Sequence, residues 1–340
     1  MKKIAVVILN WNGKKLLEQY LPSVIKYSNP QLSEVIVADN ASNDDSLIFL
    51  KDNYPEVKTI CLSKNYGFAE GYNQALQQLE HPYVMLLNSD VEVSPNWLDP
   101  MLKLMESDPN IAAIQPKIKA YKQKDMFEYA GACGGFVDYL GYPFCRGRIL
   151  DKVEKDEGQY DCITEIFWAS GAALLVRKEK YIEIGGLDAD FFAHMEEIDL
   201  CWRLKSRGNR ILCHPHSTVY HLGGGTLPNN SSRKLFLNFR NNLLMLYKNL
   251  PPQRLYATVI KRMILDGVAA IKFLITMEPS NFWAVVRAHY SFYSMLKKYR
   301  KKREVEISQM SYTNHPQMLS HSIIICYFIR KQRNFSELKF

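Results

Sequence analysis

Residues 83–93, Tyr-Val-Met-Leu-Leu-Asn-Ser-Asp-Val-Glu-Val, decide the fold. Five apolar or aromatic residues in a row are too few to cross a membrane and read as a strand buried on both faces, as in a parallel sheet. The run stops at Asn88-Ser89-Asp90. In open α/β sheets ligands sit beyond the carboxyl ends of the strands, so Asp90 marks where chemistry is expected.

The same pattern recurs upstream. Lys3 to Leu9 is apolar and β-branched, ends in the turn Asn10-Trp11-Asn12-Gly13, and leads into helical spacing from Lys14 to Tyr27. Val35 to Ala38 is a second buried strand, closed by Asp39-Asn40-Ala41-Ser42-Asn43-Asp44 and followed by a helix from Ser46 to Asn53. Val57 to Leu62 gives a third, with the loop Ser63 to Phe68 and a helix from Ala69 to Leu79. Strands alternating with helices predict an α/β nucleotide-binding fold with a mostly parallel central sheet and right-handed crossovers. The polar strand ends, Asn10 to Asn12, Asp39 to Asp44, Lys64-Asn65 and Asn88 to Asp90, should converge on one rim.

Downstream the rhythm breaks. A helix is expected from Pro95 to Ser107 and a short strand from Ile111 to Ile114. The glycines at 131, 134, 135, 141 and 147 then suggest hairpins and a mobile loop. Ala172 to Val176 is a buried strand. The densest acidic group, Glu196-Glu197-x-Asp199, starts a helix ending in Arg203, Lys205 and Arg207; short strands follow near Arg210 to Cys213 and Thr218 to His221. His221 precedes Gly223-Gly224-Gly225, and from Ser232 the chain reads as helical.

Composition locates the charge. With 47% hydrophobic and 12% aromatic residues the 340-residue chain is globular, and its net charge of +8 belongs to one end. From Pro251 onward there are 15 Lys/Arg against 5 Asp/Glu, which leaves −2 for residues 1–250. We therefore expect a catalytic domain over 1–250 and a basic, amphipathic helical tail over 251–340. The tail lacks a nucleic-acid signature and is rich in aliphatic and aromatic residues, so an anionic membrane surface is its expected partner; the solvated face of an ordinary helical domain is the other reading. Lys261, Arg262, Asp266 and Lys272 interrupt its apolar run, and burying each in a bilayer costs about 2–4 kcal/mol, so the helix lies on a surface rather than crossing. Seven cysteines without a Cys-x-x-Cys pair suit reduced thiols in a cytoplasm. Lys2-Lys3 and only six apolar residues after them read as a first strand rather than a signal peptide. The expected location is cytoplasmic, peripheral on the inner membrane face. Neither a dinucleotide Gly-x-Gly-x-x-Gly fingerprint nor a Gly-x-x-x-x-Gly-Lys loop occurs, which argues against a dehydrogenase and a P-loop enzyme.

Five motifs in order, Val-Ile-Leu-Asn-Trp-Asn-Gly (7–13), Val-Ala-Asp-Asn-Ala-Ser (37–42), Asn-Tyr-Gly-Phe-Ala-Glu-Gly-Tyr-Asn (65–73), Leu-Leu-Asn-Ser-Asp (86–90) and Phe-Phe-Ala-His-Met-Glu-Glu-Ile-Asp-Leu-Cys-Trp-Arg (191–203), resemble glycosyltransferase family 2, and within it the bacterial rhamnosyltransferase-like members. The resemblance covers roughly residues 3–250 and implies a GT-A fold, a nucleotide-sugar donor (dTDP-, UDP- or GDP-linked), a Mg²⁺ or Mn²⁺ ion and inversion at the anomeric carbon.

On this resemblance Asp90 and His221 are the metal ligands, with Asn88 standing where the first carboxylate of the Asp-x-Asp position is usual. Asp39 reads the base and Trp11 stacks on it, although a core aromatic is the other reading of Trp11. Asn10, Ser42, Asn65, Gly67, Asn73, Asn88 and Ser89 line the donor. Glu196 and Glu197 match an acidic pair whose second member is the general base, and Asp199 is the alternative base. Arg240 either reaches the diphosphate or sits on a helix surface. The expected activity is transfer to a saccharide or lipid-linked saccharide in cell-surface polysaccharide synthesis. A sugar nucleotidyltransferase and an inactive saccharide- or nucleotide-binding membrane protein are the alternatives.

Overall fold

The structure, a computed structural model, describes residues 2–223 and 231–340; Gly224 and Gly225 of the glycine run lie outside them. The first half alternates as the apolar runs predict: β1 (Ile4–Asn10), α1 (Lys14–Tyr27), β2 (Ser33–Asp39), α2 (Ser46–Asn53), β3 (Lys58–Cys61), α3 (Gly67–Gln77) and β4 (Tyr83–Asn88). Then come β5 (Val91–Val93), α4 (Asp99–Ser107) and β6 (Ile111–Ala120). A run of short strands follows: β7 (Gly135–Asp138), β8 (Pro143–Cys145), β9 (Arg148–Ile149), β10 (Lys152–Val153) and β11 (Thr164–Glu165). The chain continues through β12 (Ala173–Arg177), α5 (Lys178–Glu183), α6 (Glu196–Ser206) and β13 (Arg210–His221). It closes with α7 (Ser232–Asn249), α8 (Pro252–Ile275), α9 (Pro279–Ser308), β14 (Met318–Leu319) and α10 (Ile323–Phe328).

Among the described residues the main sheet has nine strands in the order β11-β13-β6-β12-β4-β1-β2-β3, with β5 beside β13. The β3-β2-β1-β4 half is parallel, whereas β12 runs antiparallel to both β4 and β6. Side chains alternate through this sheet. Val7, Leu86 and Leu174 enter the core on one face, and Ile8, Leu87 and Leu175 enter the core on the other. Each such side chain contributes about 1.5–3 kcal/mol by leaving water, which is why the runs need no polar alternation. Register sets the site: Asn10 lies opposite Asp39, and Leu9 opposite Asn88, so three polar strand ends form one row.

Two expectations change. The segment expected as a short strand from Ile111 is a ten-residue strand. The two short strands near Cys213 and Thr218 are one strand, β13, whose register shifts between His214 and Thr218; Pro215 cannot donate to the ladder and sits in that bulge. The glycine-rich stretch builds a second sheet, β10-β9-β8-β7-β14. There Gly135 lies under Trp168, where a Cβ would come within 2.2 Å of the indole ring carbon Cδ2.

The C-terminal helices are packed onto this body. Phe292 and Tyr299 of α9, Leu319 of β14, and Ile323 and Tyr327 of α10 join the larger core, and Ile323 N donates to the buried Asp138 carboxylate at 2.9 Å. The basic run from Lys297 is only partly solvated. Lys298 and Lys302 pair with Asp190, Lys302 also with Asp188, and Arg303 donates to the Tyr247 carbonyl. No helix among the described residues is long and apolar enough to cross a membrane.

Candidate active site

The loops after β1 and β2 are stitched together by side chains. Asp39 Oδ1 accepts from Asn10 Nδ2 at 3.1 Å and Oδ2 from the Ser42 amide at 2.9 Å. Asn10 Nδ2 also reaches Ser42 Oγ at 3.2 Å, and the Asn12 amide donates to that hydroxyl. Trp11 stands at the tip of this rim, 49% exposed, and so is not a core residue. Gly13 packs against Asn10, where a Cβ would lie 2.4 Å from Asn10 Oδ1, and Ser89 Oγ lies just beyond at 4.0 Å. Asn10, Trp11, Asp39, Ser42, Asn88 and Ser89 therefore share one edge.

Asn65 and Gly67 adjoin this edge through Asn40. Asn65 Oδ1 accepts from Asn40 Nδ2 at 3.1 Å and from the Gly67 amide at 2.8 Å. Gly67 has φ +76 and lies under Phe192, whose ring would be 2.8 Å from an added Cβ, so both its conformation and its contact demand glycine. Asn73 does not join the donor group. Its Oδ1 accepts from Tyr181 Oη at 2.6 Å and the Leu187 amide at 3.0 Å, and its Nδ2 donates to the Leu187 carbonyl. It fixes the turn before α6.

At the end of β4, Asp90 is buried and its Oδ1 lies 3.1 Å from His221 Nε2. Antiparallel pairing of β5 with β13 sets this neighbourhood, because it places His221 opposite Val91. The other ring nitrogen of His221, Nδ1, faces Glu128 Oε1 at 3.4 Å. Burial alone would depress the imidazole; the Glu128 and Asp90 carboxylates outweigh it and raise its pKa to about 10. A divalent cation would have to displace the proton that these carboxylates hold on Nε2, and the Asp90 oxygen and the freed nitrogen then fit it. Donor atoms 3.1 Å apart match neighbouring ligands of an octahedral ion with bonds near ~2.1 Å. A carboxylate on the far nitrogen of the imidazole is the support that orients metal-bound histidines. No three His, Cys, Asp or Glu side chains form a ready-made metal cage among the described residues.

Glu196 and Glu197 begin α6, directly after a strained strap. Phe192 has φ 65 and ψ −56, and the Ala193 amide donates to the Phe191 carbonyl at 2.7 Å, a γ-turn of the rare, strained hand. His194 and Met195 also have positive φ, 69 and 73. Such backbone persists only where its surroundings over-determine it. Here α7 does so: Asn241 Nδ2 donates to the carbonyls of Phe191, Ala193 and His194 at 2.7–3.0 Å. Arg240 donates to those of Asp190 and Phe191, so it is neither a free surface cation nor aimed at a phosphate.

Each of the two glutamates accepts from its own backbone amide, which offsets its burial only in part. Oε2 of each is buried with no hydrogen-bond partner. Burial raises the Glu197 pKa to about 7, and burial plus the Glu197 charge raises Glu196 well above its usual range. Glu196 is buried and Glu197 half-buried. Glu197 Cβ lies 3.9 Å from where a Gly171 Cβ would be. Gly171 precedes Ala172, whose carbonyl accepts from the Asn88 amide, so Glu197 borders the mouth of the β4–β12 pair. Asp199 is different and cannot serve as the base. It is fully buried, with Arg203 and Lys248 on Oδ2 at 2.8 and 2.7 Å and Asn249 on Oδ1 at 2.8 Å. Its charge is spent on the fold. Glu128, Gly171 and Asn241 were not singled out from the sequence; the first two lie outside any periodic pattern, and Asn241 had only its neighbour Arg240 to draw notice.

Comparison with known proteins gives this arrangement a class. The architecture is that of GT-A glycosyltransferases. GalNAc-T7 with UDP, GalNAc and Mn²⁺ superposes with a TM-score of 0.58 at 19% identity, covering 73% of this chain and 48% of that one. S. aureus TarS 1-349 in complex with UDP-GlcNAc gives 0.55 at 16% identity, covering 92% and 93%. These likenesses concern the fold. Residues 5–162 match the family described as Glycosyl transferase family 2; over them the chain is a family 2 glycosyltransferase domain. It is 27% identical over 236 residues to the N-acetylglucosaminyl-diphospho-decaprenol L-rhamnosyltransferase of Mycobacterium tuberculosis, spanning 64% of this chain and 75% of that one. The chain is a glycosyltransferase, and the mycobacterial rhamnosyltransferase is one of the proteins it is similar to.

Proposed function

We propose that this protein moves a sugar, with inversion, from a nucleotide-sugar donor to a saccharide or lipid-linked saccharide during cell-surface polysaccharide synthesis. The observation that carries the reading is Glu197, a half-buried carboxylate whose Oε2 has no hydrogen-bond partner, on the sheet that also carries Asp90 and His221. A base with a pKa near working pH can take the acceptor hydroxyl's proton. The oxygen then attacks the anomeric carbon opposite the departing nucleoside diphosphate, forming one C–O bond as the other breaks. Asp39 and Trp11 would hold the nucleobase, Asn10, Ser42, Asn65, Gly67, Asn88 and Ser89 would border the ribose and diphosphate, and Asp90 and His221 would hold Mg²⁺ or Mn²⁺. The ion supplies positive charge against the leaving diphosphate. The lipid-linked acceptor is supported by the decaprenyl-diphosphate substrate named for the mycobacterial relative, and the cation by the Mn²⁺ bound to the GalNAc-T7 neighbour. In this reading residues 1–250 form the catalytic domain and 251–340 an attached helical segment, and the enzyme works on the cytoplasmic side of the membrane.

The test is a screen of UDP-, GDP- and dTDP-sugars for cation-dependent release of nucleoside diphosphate. Asp90→Ala and Glu197→Gln should each abolish transfer; full activity of Asp90→Ala without metal would sink the cation assignment. Pyrophosphate release from a nucleoside triphosphate would replace transferase with nucleotidyltransferase.

A further inference from the structure

Helix α8 is built inside out. Its packed side carries Arg262 and Asp266, paired at 2.8 Å, with Arg262 also donating to Asn242 at 2.6 Å and Asp266 3.3 Å from His289. Its outward side carries Tyr256, Ile260, Ile264, Val268, Ile271 and Ile275, each 58–77% exposed. At ~100° per residue these six fall within an arc of roughly 120°, a continuous apolar face turned to solvent. Lys261 and Lys272, both exposed, follow on one margin of that arc.

Helix α9, packed against α8, extends the surface. Trp283, Tyr290 and Tyr293 are 56–77% exposed on one side of it, and Tyr293 Oη reaches Met263 of α8 at 3.5 Å. The same side leads into exposed Lys297, Arg300 and Lys301. Aliphatic residues flanked by Trp and Tyr and then by cations is the order met on crossing a bilayer interface from acyl chain to headgroup.

We propose that the outward face of α8 and α9 docks on an anionic lipid bilayer, with the isoleucines in the acyl boundary and the lysines and arginines against the headgroups. A second copy of the chain fits less well, because the segment from Pro251 onward carries ten more cations than anions and would face its own charge. The inference goes beyond the transfer chemistry and does not depend on it.

Vesicle co-sedimentation of the full chain tests this. It should pellet with phosphatidylcholine vesicles containing ~30% phosphatidylglycerol at least about tenfold more strongly than with phosphatidylcholine alone, and salt should weaken it. The exposed triple variant Ile260→Ser/Ile264→Ser/Ile271→Ser should lose at least about tenfold in binding. Lys297→Glu/Lys301→Glu should lose about fivefold or more for each cation removed. Melting temperature and nucleoside diphosphate release without vesicles should stay at wild-type level in both variants, which separates loss of docking from loss of transfer. Wild-type protein that stays in the supernatant, or that pellets equally with the triple variant, would overturn the proposal. A concentration-dependent dimer that the triple variant abolishes, without vesicle binding, would assign the face to a second copy instead.

Discussion

Asp90 and His221 meet side chain to side chain, 3.1 Å apart, across the junction of β5 and β13, although 130 residues separate them in sequence. Their contact joins the end of β4 to the end of β13. Glu128 behind the imidazole makes it a three-part unit.

Glu128→Gln should leave the fold intact and raise the Mg²⁺ or Mn²⁺ concentration needed for half-maximal nucleoside diphosphate release by about 10–100-fold, the usual effect of removing a partner behind a ligand. Chelation should abolish release in wild type. An unchanged metal requirement in the variant would detach Glu128 from the ion site.

Glu197→Gln and Asp199→Asn should fail in opposite ways. The first removes a buried charge that no cation offsets and keeps an oxygen to accept from the Glu197 backbone amide, so transfer should be lost while the protein melts at or above the wild-type temperature. The second leaves Lys248 and Arg203 facing a neutral amide, and breaking a buried pair costs about 3–5 kcal/mol. Calorimetry of both variants beside their kcat values separates base from buttress.

The pH dependence follows from the raised Glu197. Deprotonated carboxylate is the active base, so kcat should climb as pH rises through about 7. Stability runs the other way. With a folded pKa above the ordinary 4.5, Glu197 favours the folded state fully below about 4.5, and that contribution fades as pH rises through about 7. Melting curves at pH 5.5 and 8 should show the gap between Glu197→Gln and wild type widening toward pH 8.

Trp11→Ala should raise the donor KM by the loss of one stacking contact, about 1–3 kcal/mol, with no change in melting temperature because the side chain is half exposed. Nucleotide titration by intrinsic fluorescence before and after the substitution would check it.

Asn241→Ala should release the strap at three carbonyls. The Phe191 carbonyl keeps the Ala193 amide and Arg240 as donors, but those of Ala193 and His194 lose Asn241; each acceptor left unpaired costs about 1–3 kcal/mol, and the γ-turn at Phe192 should relax. Nucleotide affinity should survive while kcat falls at least about tenfold, since misplacing a catalytic group by an ångström can cost about 10²-fold. Equal loss of donor binding would show that α7 supports the whole site rather than the base alone.

The parallel half was legible because β1, β2 and β4 are buried on both faces and leave unbroken apolar runs, each ending in polar residues at the rim. β13 was read as two strands because Pro215 interrupts its pattern, and only pairing with β6 bridges the gap. Asn73 and Asp199 looked available because sequence shows a polar residue without its partners; Tyr181, Lys248 and Asn249 reach them from far along the chain. Glu128 escaped for the converse reason. It sits among glycines and tyrosines with no period, and only the fold brings it to His221.

The lock on the strap also imposes an order of events. Asp188, which opens the strap, draws its counter-charges from Lys248 and from Lys302, and the latter follows it by 114 residues. Synthesis runs from the amino end and lets early segments fold first. The parallel strands β1 to β4 can therefore settle while the strap still lacks its cations. Competence to transfer would arrive late in translation, when α9 brings Lys302 to the strap beside a sheet already formed.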